Sequence, residues 1–129
     1  MKWLSTEILL ALHTQMIAAT GGCDGVRDIG MLDSALNAPL ASFGGQDVYP
    51  TLEQKAVRLG YGIIRNHPFA DGNKRTGTLA MLLVLKQNGV GFQFDHQELT
   101  ETILRVAGGE MTEEQFAAWV HARIAQSKN

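Results

Sequence analysis

Residues 65–76 read RNHPFADGNKRT, and this short polar run organises everything around it. It parts two apolar, helix-forming stretches, one from Leu52 to Asn66 that Pro68 stops and a second that begins at Asn73. The nine residues from His67 to Arg75 therefore fall on a tight interhelical loop. The start of a helix presents unpaired N–H groups and a partial positive charge, which makes Gly72, Asn73 and Lys74 an anion site. Glycine at position 72 permits close backbone approach, and Lys74 and Arg75 add cations, so the expected ligand is a polyphosphate. Asp71 is then placed to hold Mg²⁺, an ion that keeps several waters and needs only one or two carboxylates beside phosphate oxygens. His67 stands a few residues before this cradle and supplies an imidazole, the side chain suited to taking a proton near neutral pH. Pro68 restrains the turn and Phe69 is expected to point inward as its apolar anchor.

Outward from the loop the pattern is helical. Ile8, Leu9, Leu12, Met16 and Ile17 recur at helical spacing, which predicts a first helix over about 5–20, with Ser5 or Thr6 as N-cap and Gly21-Gly22 as its end. A glycine- and aspartate-rich loop follows, then a short helix over Ile29–Asn37, capped by Asp28 and stopped by Pro39. Ser42 to Pro50 has no period and a Gly-Gly pair, which predicts a flexible connection or small flap. Three capping-box patterns, Thr51 with Gln54, Asp95 with Glu98 and Thr112 with Gln115, mark helix starts. They predict helices over about 52–66, 96–107 and 113–125, and the run LAMLLVL makes the helix over about 73–88 the buried central one. Only VGFQF, residues 90–94, suggests a short extended piece. The fold class is accordingly all-α: a compact bundle of about six helices around a central buried helix, with one short hairpin or flap.

A chain of 129 residues suits a single domain, residues 1–129, with one core. The formal net charge of -2 and pI near 6.0 provide no basic field for nucleic acid. One cysteine, Cys23, closes no intramolecular disulfide, and the N-terminal residues show no cleavage signal, so a cytoplasmic location is expected. The most apolar stretch, Leu79 to Leu85, is far shorter than the roughly 20 residues a membrane span needs. The polar residues Gln126 to Asn129 are expected to lie outside the folded part.

The segment His67–Arg75 resembles the active-site motif of the Fic and Doc family, H-x-F-x-[DE]-[GA]-N-[GK]-R, and meets every specified position. Upstream, GVRDIGMLDSAL from Gly25 to Leu36 resembles the loop and short helix of Doc-like members, the death-on-curing toxins of type II toxin–antitoxin systems. The resemblance implies transfer of part of a nucleotide to a protein hydroxyl: His67 as base, Asp71 on Mg²⁺, Asn73 and Arg75 on phosphates, and the backbone amides around Gly72 as anion hole. AMP-transferring members usually carry glycine where Lys74 stands, and many carry a further arginine where Thr78 stands. Lysine goes with inverted ATP binding, so the resemblance implies transfer of the γ-phosphoryl and a kinase. The position before asparagine is Gly72, closer to the Fic form than the alanine of some Doc sequences. AMP transfer is the alternative within the family.

The self-inhibitory pattern [ST]-x-x-x-E-[GN] of many Fic proteins is missing from this sequence, so the resemblance implies a separate antitoxin that lays a helical segment in a groove of the domain. By analogy the target is elongation factor Tu, and its modification blocks translation. The flap at Ser42–Pro50 is expected to dock the target's extended loop or to be a plain exposed loop. Against these stand blander readings: a capped turn with His67 buried as a structural residue, or a catalytically silent module that only sequesters a partner. A two-ligand zinc site of His67 and Asp71 is chemically poor. Arg27 and Asp28 are expected to pair with each other and fix the first loop, with a target or antitoxin contact as the functional alternative. His13, His96 and His121 read as surface or packing residues, and Cys23 has no partner for nucleophilic chemistry.

Overall fold

A computed structural model describes residues 1–127. Among them are six α-helices: α1 (Thr6–Thr20), α2 (Ile29–Asn37), α3 (Leu52–Asn66), α4 (Asn73–Gln87), α5 (His96–Ala107) and α6 (Glu113–Ser127). The all-α class and the six predicted elements hold, and most starts are set by the expected caps. Ser5 Oγ accepts the Ile8 amide and Asp28 accepts that of Met31. Thr51 with Gln54 and Thr112 with Gln115 form reciprocal boxes, each satisfying two otherwise orphan donors. The third box is only half made. Asp95 accepts the Glu98 amide at 3.0 Å, but the Glu98 carboxylate turns to α6, accepting the Trp119 indole N–H at 3.0 Å and pairing with Arg123. A tertiary ion pair outweighs the local cap there.

Pro39 does not stop α2 abruptly, because it sits inside a 3₁₀ turn, Ala38–Leu40, where its fixed φ is compatible and no donor is needed. Ser42–Pro50 then forms a two-residue hairpin, β1 (Ser42–Phe43) against β2 (Gln46–Asp47), turned by Gly44 and Gly45 at positive φ. This is the predicted flap. Lys55 of α3 anchors it: the buried ammonium donates to Asp47 Oδ2 at 3.0 Å and to the Tyr49 carbonyl. Phe43 at the other arm is 85 % exposed. Residues 90–94 form no strand; Phe92 instead packs edge-on to Trp119, with ring centres 6.0 Å apart. The backbone of α6 runs on through Ser127, past the predicted end, and Lys128 and Asn129 lie outside the described residues.

The core differs from expectation in which helix lies at its centre. Helix α3 buries residues on almost every side, including Ala56, Val57, Leu59, Ile63 and Ile64, and touches α2, α4, α5 and α6. Helix α4 buries one face only, through Thr76, Ala80, Met81, Val84 and Leu85, while Leu79 is 39 % exposed and Leu82 half-buried. Its apolar run is continuous, yet the side that carries Leu79 lines an open groove among the described residues. The two helices cross closely because both have glycine at the crossing: a Cβ on Gly77 would lie 2.9 Å from the Gly60 carbonyl and 2.8 Å from Ile64 Cγ1. That contact fixes the end of α3 and the start of α4 relative to each other.

Candidate active site

His67 terminates α3 in the left-handed conformation, φ 50° and ψ 60°, the sole non-glycine residue at positive φ among the described residues. Its amide still bonds Ile63 O at 3.2 Å, so the helix ends on this residue. The turn leaves the imidazole exposed, with no hydrogen-bond partner among the described residues. The reading of His67 as a buried structural histidine is thereby overturned. Phe69 turns the opposite way, as expected, and is fully buried.

Phe69 is held on all sides. Its ring stacks on that of His13, centres 3.9 Å apart and planes 6° from parallel, and its backbone N–H and C=O are both taken by the Asn73 side chain, at 3.0 and 3.1 Å. The loop before α2 runs antiparallel beneath: Val26 bridges Phe69, the Arg27 and Asp28 amides donate to Pro68 O, and the Ala70 amide donates to Gly25 O. His13, buried in α1, completes the support, with Nε2 2.8 Å from the Asp71 carbonyl and Nδ1 3.3 Å from Asp24 Oδ1. Arg27 and Asp28 do not pair as expected. Asp28 caps α2, and the Arg27 guanidinium reaches the Asn66 and His67 carbonyls.

Asp71 is exposed; one carboxylate oxygen accepts the Gly72 amide at 2.9 Å and the other the Cys23 amide at 3.3 Å. Gly72 is the N-cap of α4 at φ 75°, and a Cβ there would sit 2.4 Å from Met16 Cε. The backbone angle favours glycine at 72, and a Cβ there would also have to displace the end of the Met16 side chain on α1. Having no side chain, Gly72 leaves α4 without a side-chain cap, so the Asn73, Lys74 and Arg75 amides have no acceptor among the described residues. They border a cavity of about 250 Å³ lined by His67, Asp71, Gly72, Asn73, Lys74 and Arg75. The structure thus brings every predicted site residue to one cavity. It also assigns them differently in detail: with the Asn73 amide group committed to Phe69, what Asn73 offers an anion is its backbone N–H. Lys74 and Arg75 have no acidic partner among the described residues.

No group of three or more metal-ligating side chains exists among the described residues. The Fic/DOC family model matches residues 3–85, well over half of the chain and including this loop. The chain belongs to the Fic/DOC family. Among its Doc relatives, it is 46 % identical over 77 residues to a protein named Toxin Doc from Mycolicibacterium smegmatis, covering 60 % of this chain and 59 % of that one. It is 34 % identical over 112 residues to the Protein kinase doc of Escherichia phage P1, covering 87 % of each. The Fic/DOC model ends at Val84–Leu85, so it includes the whole loop and most of α4.

Two supports of this Fic/DOC site were not apparent as such in the sequence. His13 shares the apolar stripe of Leu9, Met16 and Ile17, and a polar residue inside such a stripe is the signal that it has a buried acceptor to meet. Arg27 left no signal, since its partners are main-chain carbonyls. Of the remaining histidines, His121 pairs with Glu53 at 2.7 Å, and His96 begins α5 and lines a groove shared with Lys74 and Arg75.

Proposed function

We propose that this protein is a Doc-like toxin that transfers the γ-phosphoryl group of ATP to a serine or threonine hydroxyl of a protein. The observation that carries the reading is the uncapped start of α4, with Lys74 and Arg75 beside three free amides, lining one cavity together with the exposed His67. The amides and cations bind and orient the phosphates, as helix N-termini do. The target hydroxyl gives its proton to His67 as its oxygen bonds to phosphorus; the bond from that phosphorus to the bridging oxygen breaks, and ADP leaves. Bound Mg²⁺, held by Asp71, would supply neutralising charge to the phosphates. Lys74 favours this over AMP transfer because its side chain would fill the space into which extra phosphates would otherwise extend, and the phage relative is named a protein kinase. By analogy the target is elongation factor Tu, with loss of translation and growth as the result and the cytoplasm as its place of action. No helix among the described residues is long and apolar enough to cross a membrane.

Incubation with cell extract and ATP labelled at either the γ or the α position tests the reaction. The γ-label should appear on one protein in a magnesium-dependent manner and the α-label should not. Transfer of the α-label would replace the kinase by an AMP-transferase, and transfer of neither would leave a sequestering module.

The partner implied for such a toxin is a cognate antitoxin. An open groove of about 500 Å³ between α1, α4 and α5, lined by Met16, Leu79, Leu82, Phe94 and Leu104, runs to Lys74 and Arg75. An amphipathic helix with acidic residues at one end would fill it and cover the phosphate cradle. Leu104 is 54 % exposed, so Leu104→Glu should leave the fold and transfer intact. Antitoxin affinity, read by calorimetry, should drop by roughly tenfold or more, since a carboxylate would be desolvated without a partner.

A further inference from the structure

The left-handed turn at His67 has a dedicated clamp. Its φ and ψ are set by two peptide planes, the one before it, which carries the Asn66 carbonyl, and the one after it, which carries its own. Arg27 grips both: Nε donates to His67 O at 2.6 Å and Nη2 to Asn66 O at 2.8 Å. A planar guanidinium holds its donors in a fixed fork, so bonding to both carbonyls fixes one plane against the other. The conformation it fixes is disfavoured for any residue with a Cβ and persists only when the surroundings impose it. The Arg27 main chain is itself pinned, its amide donating to Pro68 O at 2.8 Å. No carboxylate pairs with Arg27 among the described residues, so its charge is committed to these carbonyls.

We infer that Arg27 is a positioning residue for the reaction, aiming the His67 imidazole at the incoming hydroxyl without touching substrate. The inference rests on the reading of His67 as the base. Its side chain is exposed, so substitution removes the clamp without opening the core. In the full chain, Arg27→Ala should lower kcat by roughly ten- to a hundredfold, the range expected of a misaimed catalytic group, with KM for ATP and the magnesium dependence unchanged. Arg27→Lys should also be impaired, because a rotatable ammonium, even where it reaches both carbonyls, does not hold their planes in the fixed relation of the guanidinium fork, and added guanidinium ion should restore part of the Arg27→Ala rate. The NMR resonances of the His67 ring, assigned by difference against His67→Gln, should shift in Arg27→Ala and return with guanidinium. Full activity in Arg27→Lys would overturn the clamp, as would a kcat at wild-type level or a loss confined to KM for ATP. If the wild-type protein transfers no phosphate, the reading of the site fails, while unmoved His67 resonances in Arg27→Ala would sink the clamp by themselves.

Discussion

Replacing His67 by alanine should slow phosphoryl transfer roughly 10²- to 10⁴-fold, the usual contribution of a positioned general base. Little else should change. The imidazole is exposed and has no hydrogen-bond partner among the described residues, so nothing in the fold depends on it. What the fold does use at this position is the backbone, which closes α3 through the bond to Ile63 O, and alanine retains that amide. Circular dichroism and the unfolding midpoint should therefore stay close to those of the parent, as should nucleotide affinity, since the anion site is built from the free amides of α4 and the Lys74 and Arg75 side chains, which the substitution leaves in place. Initial rates with γ-labelled ATP measure the loss directly. Growth inhibition on expression supplies the second readout: toxicity that survives His67→Ala would mean that partner capture, and not catalysis, arrests the cell.

How far the chain could be read in advance depended on whether a residue's task was local. Caps at Ser5, Asp28 and Thr51, the glycine turn of the hairpin and the breaks at Gly21 and Pro68 act within a few residues, and all appear where the sequence puts them. The candidate site is legible for the same reason, because His67 to Arg75 are consecutive and the loop needs only two helix ends to present them. Tasks shared between distant segments were hidden. The commitment of Glu98 to Trp119 and Arg123, the exposure of one side of α4, and the grip of Arg27 on α3 each depend on a neighbour from elsewhere in the chain. Periodicity states that a face is apolar; it does not state whether another helix arrives to cover it. That is how an unbroken apolar run in α4 came to line a groove.

Phe69→Ala should be the most damaging substitution to stability in the motif, at about 3–5 kcal/mol, the usual cost of emptying a buried aromatic site. Phe69 is completely buried and stacked face to face on His13, so the deletion removes both apolar burial and an aromatic contact. The cavity would open beside a buried histidine whose two nitrogens face the Asp71 carbonyl and the Asp24 carboxylate, and loosening that ring releases the main chain that carries Asp71. The Asn73 side-chain bonds to the Phe69 backbone and the main-chain bonds of Pro68 and Ala70 to the loop before α2 remain available, which limits the collapse to the loop and its support. For a domain of this size such a loss should lower the melting temperature by roughly 10 °C or more. Chemical denaturation followed by tryptophan fluorescence checks it, with His67→Ala as the control whose midpoint does not move. A shift under about 1 kcal/mol would mean that the site refills, from His13 or Met16, and that the loop takes its shape from main-chain bonds alone. With the expected loss, transfer should also fall in whatever fraction stays folded, because the residue that separates the base from the phosphate cradle would have lost its anchor.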